Sequence, residues 1–158
     1  MQQCYIYNYT FVQNSNNMTE THAIQTLRQI GLKQTPLRVA VLQELTANVQ
    51  ALSQPDLENV FKGRENRVTI YRVLRDLEEK GLIHRVFDLN GTARFAICRN
   101  NCTEHAHRDE HVHFNCTACK NVFCLDDIAV SAPSLPIGFT FQTVKLTVEG
   151  ICKNCSIN

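Results

Sequence analysis

Two Cys-x-x-Cys pairs, Cys116/Cys119 and Cys152/Cys155, bracket the last third of the chain and constrain its folding more than any other feature. Each pair holds two soft sulfur ligands in a tight turn, and two such pairs complete the tetrahedral four-thiolate shell that zinc prefers. The strands that carry them must therefore end side by side. Eight cysteines in a chain without a secretion signal favour metal or redox chemistry over a disulfide framework. A dithiol redox motif normally opens a helix in a thioredoxin-like context, which is missing here. Structural zinc on Cys116, Cys119, Cys152 and Cys155 is the reading that follows, with redox or unrelated buried cysteines as its alternatives. At 158 residues the chain forms one domain or two small ones, and in a small domain bound metal contributes folding free energy.

A second set of ligands lies next to the first. His111 and His113, two apart on a predicted strand, project to one face and can clamp one ion. His84 and Cys98 flank a predicted hairpin upstream. If that hairpin folds against the C-terminal part, His84, Cys98, His111 and His113 converge at a hinge. One sulfur with three nitrogens suits zinc better than a hard ion, and a site spanning two domains couples binding to their relative orientation. The alternative is that His84 is a surface residue of the hairpin and Cys98 a small core residue. Cys102, His105, His107 and Cys124 are further candidates.

The first half reads as helices with clear punctuation. Residues 21–30 carry Ile24, Leu27 and Ile30 at helical spacing and stop at Gly31. Thr35-Pro36 supplies an N-cap and a first-turn proline for the next helix, and Ser53 caps a third that contains Leu57, Val60 and Phe61. A fourth spans about 67–80 and stops at Gly81. The period then changes to strand over 82–89 and 92–97, flanking Asn90-Gly91, read as a two-residue hairpin turn. Helices followed by a hairpin make a winged helix-turn-helix, in which the helix before the wing reads DNA. That helix offers Arg67, Thr69, Tyr71, Arg72 and Arg75 for phosphates and base edges. A solvated face, with Arg75 linked to Glu78 or Glu79, is the alternative. Winged helices also serve as protein-interaction modules.

Net charge is only +1, and residues 18–88 hold ten Lys/Arg against nine Asp/Glu. Arg64, Arg67, Arg72 and Arg75 nevertheless cluster, so any electrostatic footprint is local. Residues 1–17 are polar and Asn-rich and do not resemble a signal peptide. They are expected to be a disordered leader, with Met18 a credible native start. No apolar run approaches bilayer length, so the expectation is a cytoplasmic protein with no membrane partner.

These residues resemble the ferric uptake regulator family of metal-sensing bacterial repressors. The resemblance runs from Met18 to the end. It is carried by Gly31-Leu-Lys-Gln-Thr-Pro-Leu-Arg38, Val68-Thr-Ile-Tyr-Arg-Val-Leu74, His111-x-His113-x-x-Cys116-x-x-Cys119 and Cys152-x-x-Cys155. It implies a homodimer that binds palindromic operator DNA when loaded with metal, DNA contacts from Tyr71 and Arg72, and structural zinc on the paired cysteines. It also implies a winged-helix DNA-binding domain over 18–97 and a small α/β metal-binding dimerisation domain over 98–158, so that behind the leader over 1–17 the chain reads as α+β.

Departures from the family pattern bear on the metal. Iron and peroxide sensors usually supply a carboxylate a few residues after the first Cys-x-x-Cys, where Cys124 stands here. Their N-terminal histidine near Leu52 is absent, and Glu110 and Val112 replace the usual residues flanking His-x-His. His84 and Cys98 instead match ligand places of the zinc uptake regulators. The loop over 99–110 looks longer than usual and brings His105 or His107 within reach of the site.

The expected function is a zinc-responsive repressor of metal-uptake genes, with Fe2+ or Mn2+ as alternative regulatory ions on an iron or peroxide sensor. A zinc-ribbon interaction module without DNA affinity is the more distant alternative. Enzyme function is not expected, because no open metal position beside a general base is recognisable.

Overall fold

The computed structural model describes residues 18–98, 111–125, 128, 134–140 and 144–157. Its first four helices each begin where a short polar side chain accepts a backbone N–H that the helix itself leaves unpaired. Thr19 caps α1 (Glu20–Gln29) and Thr35 caps α2 (Pro36–Ala47), where Pro36 occupies the first turn without losing a hydrogen bond. Ser53 and Asp56 form a reciprocal capping box at α3 (Gln54–Val60). Asn66 caps α4 (Arg67–Glu79), which ends as the chain turns through Gly81 at φ +70°.

The helices share one core. Leu27, Leu42, Leu57, Ile70, Leu74, Leu77 and Ile83 are its largest fully buried side chains there, each stabilising the fold by roughly 1.5–3 kcal/mol. Val60, read from the sequence as a helix residue beside Phe61, lies at the exposed end of α3. An Arg38–Asp76 ion pair ties α2 to α4.

Three strands complete the winged helix: β1 (Leu52–Ser53), β2 (Ile83–Phe87) and β3 (Ala93–Ile97), antiparallel in the order β1-β3-β2. The hairpin differs from the expected two-residue turn at Asn90-Gly91. Asp88 pairs with Thr92 and Gly91 N–H donates to Asp88 O at 2.9 Å, leaving Leu89, Asn90 and Gly91 as a three-residue loop. Gly91 takes the left-handed conformation (φ +76°) that closes such loops. The Asp88 carboxylate decides the outcome, because its Oδ1 accepts from both Asn90 N and Thr92 N at 2.9 Å.

A second sheet holds β4 (Val112–Cys116), β5 (Val122–Leu125) and β6 (Leu146–Gly150) in the order β5-β4-β6. β5 runs antiparallel to β4 and β6 parallel to it. From the sequence, Thr140 to Val148 reads as a strand ending at the second cysteine pair; the strand is observed at 146–150, and residues 141–143 lie outside the described set. A short α5 (Lys153–Ser156) follows Cys152. The sheets meet where Ala51 N–H donates to Val122 O at 2.8 Å, over a small apolar cluster of Ala51, Val86, Val122 and Ala96. The fold is α+β, a winged helix-turn-helix followed by a small sheet that carries both cysteine pairs.

Candidate metal centres and nucleic-acid interface

Parallel pairing of β4 with β6 sets Cys116 opposite Gly150, so the two cysteine turns emerge at the same end of the sheet. Thr117 N–H donates to Gly150 O at 2.7 Å and fixes this junction. The ligating sulfurs of Cys116, Cys119, Cys152 and Cys155 lie within 4.8 Å of one another. Cys119 Sγ and Cys152 Sγ are 3.8 Å apart. That equals the edge of a tetrahedron with Zn–S bonds of about 2.3 Å. Burial alone would raise the Cys116 thiol, but the amide N–H groups of Cys119 (3.5 Å) and Cys152 (3.3 Å) outweigh it and bring it down to about 6. Burial pushes Cys119 up to about 11. Four sulfurs so spaced fit structural zinc.

The second cluster forms where the two sheets meet. His84 lies on β2, opposite Ala96 of β3. His113 on β4 stands directly opposite Cys124 on β5, and His111 precedes β4 on the same face as His113. One donor atom from each of His84, His111, His113 and Cys124 lies within 4.8 Å of the others. His84 Nε2 is 3.3 Å from His113 Nε2 and 3.5 Å from Cys124 Sγ. These spacings match the N–N and N–S edges, about 3.3 and 3.6 Å, of a tetrahedral ion with ordinary zinc bond lengths. His84 and His111 are buried, and His113 and Cys124 are half-buried. Among the described residues, no carboxylate joins the group.

Cys98 stands apart from that donor set. Its Sγ is 3.5 Å from His84 Nδ1, the other ring nitrogen. Cys102, His105 and His107 fall outside the described residues. Cys124 was only one of several extra candidates in the sequence. Its place opposite His113 depends on strand register, which no local pattern reveals.

The five predicted DNA contacts all lie on α4, but they are not equivalent. Arg67 Nε is 3.5 Å from Glu58, and Thr69 Oγ1 donates to Asn66 Oδ1 at 2.9 Å. Arg75 pairs with Glu79 at 3.5 Å and lies 3.7 Å from Asp76, as the solvated-face alternative anticipated for Glu79. Tyr71 and Arg72 are exposed. Val68, which the sequence reading passed over, is an exposed apolar side chain one helical turn before Tyr71 and Arg72.

Residues 29–149 match the Ferric uptake regulator family. The chain belongs to that family. Ferric uptake regulator proteins are metal-responsive transcriptional regulators, and their metal-binding character agrees with two donor clusters on this fold. The chain is 26% identical over 145 residues to the peroxide operon regulator of Bacillus subtilis, covering 85% of this chain and 91% of that protein. It is 30% identical over 140 residues to the ferric uptake regulation protein of Bordetella parapertussis, covering 82% and 93%. A zinc uptake regulator solved with zinc and DNA shares the fold at TM-score 0.59 and 20% identity, covering 87% of this chain and 93% of that one. Relatives named for peroxide, iron and zinc therefore leave the choice of metal to this chain's own donors. Among the described residues, no helix is long and apolar enough to cross a membrane.

Proposed function

We propose that the protein is a zinc-responsive repressor, acting in the cytoplasm as a homodimer on palindromic operator DNA to control metal-uptake genes. The observation that supports zinc is the donor set: three imidazoles and one thiol at tetrahedral spacing, with no carboxylate in the group among the described residues. Soft and borderline donors of this kind suit zinc, whereas manganese favours oxygen ligands. His84, His111, His113 and Cys124 are the residues assigned to hold it. When bound, zinc supplies directed bonds to the wing and to the C-terminal sheet at once.

The chain's own geometry turns that link into control of DNA binding. His84 rides on β2, the strand that follows α4, while His113 and Cys124 belong to the other sheet. Fixing these strands relative to each other fixes α4 relative to the C-terminal sheet. In a dimer it also sets the spacing of two α4 helices against two half-sites. β6 supports the dimer reading, because it is an edge strand that exposes Leu146 and Val148 on one face, with exposed Ile151 beyond. Tyr71 and Arg72 are assigned to the operator, with Val68 placed to meet a thymine methyl group. Cys116, Cys119, Cys152 and Cys155 hold the structural zinc, and the division at residues 97 and 98 separates the DNA-binding and dimerisation domains.

Mobility-shift titration of operator duplex with zinc, iron(II), manganese or chelator tests the reading. Tight binding with zinc alone is the expected result, and equal affinity in chelator would remove metal control altogether. A second reading, an iron or peroxide sensor, draws on the similarity to the Bacillus and Bordetella regulators. Activation by iron(II) but not zinc would establish it.

A further inference from the structure

Resting on the proposal that metal fixes the wing against the C-terminal sheet, we infer that Asn115 is a built-in bias against that closure and sets how strongly metal must favour it. Asn115 lies on β4 two residues beyond His113, so its side chain emerges on the same face. Directly opposite stands Val122 of β5, which packs with Ala51, Val86 and Ala96 where the two sheets meet. An aliphatic side chain would complete that apolar cluster. The chain instead places an amide there, only 4% exposed. Its Nδ2 donates across the junction to Phe87 O of β2 at 3.5 Å, longer than an ordinary N–H···O bond. Its buried Oδ1 has no partner among the described residues.

Two effects compete at this side chain, and their sizes decide between them. A hydrogen bond stretched to 3.5 Å yields less than the modest net gain of a well-formed one, whereas an unpaired buried carbonyl loses all of its hydration. Parting of the wing from the sheet removes the β2 cover and returns the amide to water. The loss therefore falls on the closed arrangement alone. An unmade buried bond of this kind shifts an equilibrium by roughly 5–150-fold. The apolar cluster and the Ala51–Val122 hydrogen bond favour closure, and Asn115 offsets part of that preference. Bound metal supplies the remainder, so closure follows loading instead of preceding it.

Ala51 provides a reporter, because its N–H donates to Val122 O across the same junction. Hydrogen exchange of this amide is measured in full-length protein whose four-cysteine site keeps its zinc while mild chelation empties the second site. Asn115→Leu, close to asparagine in shape, is expected to slow the exchange by roughly 5–150-fold. Asn115→Asp, which puts an unpaired charge among apolar neighbours, is expected to speed it, and decides the matter alone if the leucine variant fails to fold. In mobility shifts, Asn115→Leu should raise operator affinity in chelator toward the zinc-loaded value and leave the zinc-loaded value unchanged. Its zinc affinity at the second site, read without DNA by competition with a chromophoric chelator, should rise too, because the competent arrangement is populated more often. Ala51 exchange that is no slower in Asn115→Leu, or no faster in Asn115→Asp, would overturn the inference whichever metal operates the site. Equal operator affinity of wild type in zinc and in chelator would instead overturn zinc control, with Ala51 exchange still deciding the role of Asn115.

Discussion

Asp88 shows how much one side chain can decide. It receives the Asn90 and Thr92 amides on one oxygen and Arg94 Nε at 3.0 Å on the other, and Arg94 reaches on to Asp56 of the α3 capping box. Burial raises its carboxyl, but the Thr92 amide, Arg94 and the Asn90 amide outweigh that and hold it below the usual carboxylate range. The folded state therefore favours the ionised form. Its stabilising contribution is complete above the ordinary carboxylate pKa, near 4, and is lost as pH falls through the lowered value. Asp88→Asn is expected to cost about 2 kcal/mol at neutral pH and to flatten the acid limb of stability against pH. Urea unfolding of both proteins at several pH values checks this, and equal stability at pH 7 would contradict it.

At the scale of elements, local signals were legible and non-local ones were not. Thr35-Pro36, Ser53 and Gly81 mark helix ends because a cap or a stop acts on backbone groups within a few residues. β1 was missed because two residues carry no period and Ser53 also serves as the α3 cap. The hairpin loop was misread because Asn-Gly is a turn signal wherever it sits, while the loop length was set by Asp88. The four paired cysteines were legible as a cluster from spacing alone. Cys124 was harder to place than the paired cysteines, because its position opposite His113 is a matter of strand register. The proposed reading helix, α4, supplies its own test. Asn66 Oδ1 accepts both Thr69 N and Thr69 Oγ1 at 2.9 Å, so Asn66→Ala should cost about 1 kcal/mol in thermal unfolding. Tyr71→Ala and Arg72→Ala, at exposed positions, should leave the melting temperature unchanged and weaken operator binding at least tenfold in mobility-shift titrations. Retained affinity would remove α4 as the reading helix.

Across the whole molecule, the two halves are joined by more than the cluster of His84, His111, His113 and Cys124. Ala51, Val86, Val122 and Ala96 form a shared apolar seam beside the Ala51–Val122 hydrogen bond. A fragment of residues 18–97 would leave Ala51 and Val86 facing water. Val86→Ser is accordingly expected to cost about 1–3 kcal/mol in the full chain and almost nothing in that fragment, measured by urea unfolding of all four proteins. Equal costs in both would mean that the seam is not a true contact between the halves.

The parallel alignment of β4 and β6 has a consequence for chain continuity. The backbone passes from β5 to β6 through an exposed turn at Ile137 and Gly138, but β6 is laced to β4, which lies before that turn in the chain, by their ladder and, at their ends, by the four sulfurs. Scission at an engineered protease site beside Ile137 should therefore leave a nicked protein that still migrates as one particle. Its pieces should come apart on size exclusion only after a chelator strips the four-cysteine site, as a clasp releases a broken chain.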